Sequence, residues 1–125
     1  MFEDDDPLLA RVRSICLSFP EAAEKVGHGR PSFFTKKVFC YYGGSVRAPE
    51  GEWFPHNQAI MIRPDPGDDP ALRADPRFWV PAYLGPSGWL GLDLNQATDS
   101  NEIAELVDAS YRVTASARLV RMLPD

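Results

Sequence analysis

The chain has 125 residues, 44% of them hydrophobic and 25% charged, which suits one soluble domain spanning 1–125 with a single core. A net charge of −5 weighs against strong non-specific attraction to nucleic acid or to an anionic membrane. No apolar run reaches membrane-spanning length and the start Met-Phe-Glu-Asp-Asp-Asp is the reverse of a basic leader, so a cytoplasmic protein with no membrane partner is expected.

In chain order, Glu3 to Asp6 is an acidic run, with Asp6 suited to an N-cap and Pro7 to the first helical position. Leu8, Leu9, Val12, Ile15, Cys16 and Phe19 then fall on one helical stripe that stops at Pro20. The acidic run reads as a solvated helix start rather than a docking site. Glu21 to Val26 leads to a turn-rich connection, Gly27-His28-Gly29-Arg30-Pro31. Ser32 to Phe34 and Lys37 to Tyr42 read as short strands meeting at Thr35-Lys36, the second β-branched and aromatic-rich.

Gly43 to Asn57, with Gly43-Gly44, Pro49, Gly51 and Pro55, reads as a long connection of the functional or mobile kind. Gln58 to Arg63 is the next strand, and Asp68-Asp69-Pro70 opens a short helix that ends near Asp75-Pro76. The segment Phe78 to Leu94, FWVPAYLGPSGWLGLDL, anchors the fold: a strand approach at Phe78–Val80, an ordered turn from Pro81 to Ser87, and a buried strand from Trp89. Asp99 or Ser100 caps a last helix striped by Ile103, Leu106, Val107, Ser110 and Tyr111, and the tail from Ala115 to Leu123 can continue it. Strands joined by turns between terminal helices predict an α+β domain, a mostly antiparallel curved sheet with the N- and C-terminal helices packed on one face.

Cys16 and Cys40 have no CxxC spacing and read as two buried thiols. The two histidines, His28 and His56, each sit beside Gly or Pro in an expected loop, without a second ligand at metal-binding spacing. No GxSxG, P-loop or GxGxxG motif is present, so neither a catalytic residue, a metal nor a cofactor is indicated, and a non-enzymatic role is expected. His28 is the one candidate general base, without an orienting partner in the sequence.

Two binding readings stand. From Lys25 to Pro49 there are five basic residues and no acidic one, while the remainder carries eight basic against eighteen acidic residues. Arg30, Lys36, Lys37 and Arg47 could contact phosphate along one sheet edge and its hairpin loop, with Trp53 against sugar or base, for weak, salt-sensitive DNA binding. Against it, Lys36-Lys37 would be plain turn residues and Trp53-Phe54 would fold back on the core. Alternatively Trp79, Tyr83 and Trp89 form an aromatic cleft ringed by Arg30 and Ser87 for a protein partner or small ligand, with Gly88 and Gly91 leaving room beside the Trp89 ring. Against that, the rings are simply core, above all Trp89. A monomer or weak homodimer is expected.

Several blocks carry a resemblance: Phe19-Pro20-Glu21-Ala-Ala-Glu24, Gly29-Arg30-Pro31-Ser32-Phe33, Lys37-Val38-Phe39, Ala59 to Ile62, Pro81-Ala82-Tyr83, Gly88-Trp89 and Glu105-Leu-Val-Asp108-Ala-Ser110-Tyr111. Together they resemble the MmcQ/YjbR family. The resemblance implies a helix, a curved antiparallel sheet and a closing helix in a double-wing arrangement, and a label of predicted DNA-binding protein that rests on analogy between folds. Many members carry basic residues just before the tryptophan; here Gly85-Pro86-Ser87-Gly88 stands there, which removes phosphate contacts from that loop.

Overall fold

Asp6 starts the first helix by accepting the Leu8 N–H at 2.9 Å, and Pro7 follows with its backbone angle already helical. The computed structural model describes residues 2–124; Met1 and Asp125, the ends of the expected 1–125 domain, lie outside the described residues. Helix α1 (Pro7–Leu17) buries Leu8, Leu9, Val12 and Cys16, the expected stripe. Four strands follow: β1 (Ala23–Gly27), β2 (Arg30–Phe34), β3 (Val38–Arg47) and β4 (Trp53–Ile62). Then come α2 (Asp69–Ala74), β5 (Phe78–Trp79), a 3-10 turn at Gly85–Ser87, β6 (Leu90–Asp93), α3 (Ser100–Thr114) and α4 (Ala117–Val120). The strands form one antiparallel sheet of order β1-β2-β3-β4-β6-β5, and α1 and α3 pack on each other and on β3. The α+β architecture, antiparallel sheet and terminal helices on one face, is as the sequence predicts.

The core lies between sheet and helices: Phe33, Cys40, Tyr42, Ile60, Ile62 and Leu92 from the sheet meet Leu9 and Val12 of α1 and Ile103, Val107 and Tyr111 of α3. Tyr111 stacks on Phe19 at 4.8 Å and meets Phe39 edge-on at 5.1 Å, while its hydroxyl donates to Pro20 O at 2.7 Å. Side chains alternate along a strand, so the in-register row Lys25, Ser32, Tyr41, Met61, Gly91 and Trp79 faces away from the helices. That helix-free face carries Trp79, and Trp89 meets Tyr41 there.

Four expectations are corrected. Gly43–Asn57 is no long loop: β3 runs to Arg47 and β4 begins at Trp53, so only residues 48–52 turn. Gly43, at φ +88°, takes a register shift between Tyr42 and Gly44 as a bulge, so glycines that mimic a loop signal sit inside a strand. Pro55 sits in β4 where β6 no longer pairs with it, the kind of edge at which proline is tolerated. Second, the lead-in to the first turn forms β1, closed onto β2 through His28-Gly29, both with positive φ. Third, the tail does not continue α3; Ala115 is extended and Ser116 caps the separate α4. Fourth, Asp6 is not solvated: it is 8% exposed and accepts hydrogen bonds from the Tyr42 hydroxyl and the Gln58 amide. Cys16 and Cys40 are buried and free, and burial, then contact with Cys40, pushes the Cys16 thiol well up.

Candidate functional site

Trp79 dominates the helix-free face. Its ring lies directly over Gly91, where a Cβ would run into the indole, and reaches to 2.8 Å from the position a Gly44 Cβ would take. His56 stacks on it at 4.1 Å and 24°, and His56 Nδ1 pairs with Asp93 Oδ1 at 2.7 Å. His56 therefore sits in a strand with an orienting carboxylate rather than in a loop; Asp93 lies 37 residues away, and no local signal in the sequence joins the two. Among the described residues the Trp79 Nε1–H is buried without a hydrogen-bond partner.

Trp89 is 7% exposed and packs edge-on against Tyr41 at 5.3 Å. The glycine that gives a ring room is Gly91, and the ring is that of Trp79, not Trp89. The expected cleft of Trp79, Tyr83 and Trp89 ringed by Arg30 and Ser87 is thus largely occupied by its own tryptophans. Ser87 is exposed in the 3-10 turn, and Tyr83 stands outside the packing altogether.

Tyr83 pairs with Trp53 instead: the rings lie 5.6 Å apart at 37°, with the Arg47 guanidinium 5.3 Å from the Trp53 ring. Tyr83 is 77% exposed and Trp53 46%, so Trp53 does not fold back on the core. The Tyr83 backbone is left-handed at φ +66°, a conformation that costs a non-glycine residue about 1–2 kcal/mol. It is held by Ala82 N–H to Ser45 O at 2.9 Å and Leu84 N–H to Ala82 O at 2.7 Å. One residue from each of the two expected sites thus meets at the β3–β4 hairpin, because Arg47 and Trp53 are in-register partners across its turn.

The basic residues do not form one patch. Lys36 and Lys37 are exposed in the tight β2–β3 turn, closed by Thr35 N–H to Lys37 O at 3.2 Å. Arg47 sits at the far end of β3, roughly 30 Å away at the rise of an extended strand. Arg30 lies between, half-buried, its guanidinium over Gly43 and donating to Ser45 Oγ at 3.1 Å; burial pulls its pKa below the ordinary arginine value. Lys25 rests on the Phe34 ring at 4.8 Å. Arg63, unnoticed in the sequence as a strand-end residue, lies beside Gly88 in the loop without basic residues of its own.

Carboxylate pairing divides the cations of the chain into two groups. Arg13, Arg73, Arg77, Arg112 and Arg118 each meet a carboxylate within 4.0 Å. Among the described residues Lys25, Arg30, Lys36, Lys37, Arg47 and Arg63 meet none, and neither do Arg11, which bonds to Ser100 Oγ, or Arg121. His28 is an exposed turn residue at φ 54°. Among the described residues no helix is long and apolar enough to cross a membrane.

Solved structures share the fold. A Deinococcus radiodurans protein with a DUF419 domain superposes with a TM-score of 0.61 at 20% identity, over 94% of this chain and 89% of its own. A Pseudomonas syringae protein solved as a structural-genomics target gives 0.54 at 15% identity, over 74% of this chain and 86% of its own. None of the curated proteins compared matches the chain. The sequence profile of the YjbR family, however, matches residues 17–113, from the end of α1 through nearly all of α3, and the chain belongs to that family.

Proposed function

We propose that this chain is a binding protein rather than an enzyme, and that it binds nucleic acid weakly through the end of the β3–β4 hairpin. The observation that carries the reading is the pair of cations without carboxylate partners at that end, Arg30 and Arg47, with the exposed Trp53 beside Arg47. Arg30 supports it most: a partly desolvated guanidinium with one side-chain hydrogen bond has donors left for an anion, and phosphate geometry suits them. Lys36 and Lys37 lie too far from Arg47 to serve the same short site. The rival cleft of Trp79, Tyr83, Ser87 and Trp89 has less support, since Trp79 and Trp89 pack onto the sheet.

The test is fluorescence anisotropy of labelled DNA against the purified chain from low to physiological salt. Affinity should fall linearly in log salt, and Arg30→Gln with Arg47→Glu should abolish binding. Lys36→Glu with Lys37→Glu should leave most of it. Flat traces at low salt, or binding indifferent to Arg30 and Arg47, would sink the reading.

A further inference from the structure

The geometry points to single-stranded nucleic acid as the occupant, one unpaired base stacking on the Tyr83–Trp53 pair while a neighbouring phosphate meets Arg47. This deepens the reading above and rests on it. Arg47, Trp53 and Tyr83 form a short ladder, guanidinium to indole at 5.3 Å and indole to phenol at 5.6 Å, with the phenol at its open end. A base has a π-face whatever its identity, so an exposed aromatic rung beside a cation is a platform for an unpaired base. In a duplex those faces are already taken by the neighbouring base pairs.

The display of Tyr83 is built into the backbone. A residue whose backbone is left-handed beside the bond from Ala82 N–H to Ser45 O, yet whose side chain is 77% exposed, contributes little to the core it sits beside. Such outliers persist where the surroundings over-determine them, and here they present a ring to solvent. Charge favours the same choice. The chain carries −5 overall, and Glu50 and Glu52 lie in the same hairpin turn as Arg47, so the dense charge of a duplex is repelled more than a single strand. With Arg47 and Arg30 as the cations at hand, the log–log salt slope for a single strand should be shallow, between about −0.7 and −1.4.

The experiment compares three labelled probes by anisotropy on the intact chain: oligothymidylate, the same strand in duplex, and an abasic strand of equal length. Oligothymidylate should bind about tenfold or more tighter than either of the others, and should quench tryptophan emission through Trp53. Tyr83→Phe should keep that preference. Tyr83→Gly should remove it while raising the melting temperature, because glycine relieves the positive φ; a purely structural tyrosine would lower it instead. Duplex or abasic strand binding as well as oligothymidylate would overturn the single-strand assignment and leave the nucleic-acid reading standing. No binding of any probe at low salt would overturn both. Tyr83→Gly binding like the parent would also overturn the assignment, since folding is not at issue for so exposed a ring.

Discussion

Replacing Asp6 with alanine asks whether the acidic start merely opens α1 or fastens it to the sheet. The carboxylate is 8% exposed; it accepts the Leu8 N–H at 2.9 Å, the Tyr42 hydroxyl, and the Gln58 amide at 3.3 Å to each oxygen. Burial raises its pKa, but bonds from Tyr42, Leu8, Gln58 and Leu9 together outweigh that and leave it below the ordinary 3.8. Losing the cap costs about 1 kcal/mol. Stranding the Tyr42 hydroxyl, on a residue 0% exposed, adds about 1–3 kcal/mol. The sum, about 2–4 kcal/mol, lowers the melting temperature by roughly 6–24 °C for a domain of this size. Asp6→Asn keeps a competent cap and an acceptor for Tyr42, and should lose less. A depressed carboxylate stabilises the fold above its unfolded value and stops doing so as pH falls through its folded value. The parent's advantage over Asp6→Asn should therefore hold at neutral pH and shrink below about pH 3.8. Thermal and urea unfolding across pH measure both effects. An Asp6→Ala variant within about 0.5 kcal/mol of the parent would return Asp6 to the solvated helix start that its sequence context suggests.

Gly91→Ala puts a methyl group into the Trp79 ring, so the indole must leave its place over β6 and its stack on His56. A loss of about 1–3 kcal/mol, read by urea unfolding, and shifted His56 ring signals in NMR are expected; unchanged signals would mean that the ring does not lie there. Ser110 is 0% exposed and ties α3 to two strands, donating to Phe39 O at 2.5 Å and accepting the Arg63 N–H at 2.9 Å. Ser110→Ala leaves both backbone groups unmet and should cost about 1–3 kcal/mol with little change in the m-value.

What the sequence revealed and what it hid divide along physical lines. Asp6-Pro7, the stripe of α1, Asp99 and the stripe of α3 were legible because caps and 3.6-residue periodicity are local properties. The hairpin was not. Gly43, Gly44 and Pro55 are the residues that punctuate loops, and a bulge plus an unpaired strand edge use the same residues for a different purpose. β1 was missed because a five-residue edge strand of Ala-Glu-Lys-Val-Gly carries no alternation of buried positions. Of the candidate residues, exposure of Lys36-Lys37 and burial of Trp89 followed from their neighbours in sequence. The partners of Trp53 and His56 did not, since Tyr83 and Asp93 reach them only through the crossing of β4, β6 and the loop between β5 and β6.

That crossing also explains why an exposed aromatic pair can exist on this small domain at little cost to its stability. β6 pairs with β4 only from Ala59 to Ile62, so the stretch from Trp53 to His56 has β3 as its strand neighbour. The loop carrying Tyr83 is pinned to that hairpin through Ser45 rather than to the core. Residues that hold the fold, from Leu9 to Tyr111, and residues exposed at the hairpin, Arg47, Trp53 and Tyr83, are therefore largely separate sets. A segment with few buried contacts is the one free to open locally without unfolding the rest. On the proposed reading, substitutions there should change binding without lowering the melting temperature, and Tyr83→Gly should raise it, whereas those at Asp6, Gly91 or Ser110 act first by lowering stability. The separation is what lets mutagenesis tell a binding role from a packing role in this protein.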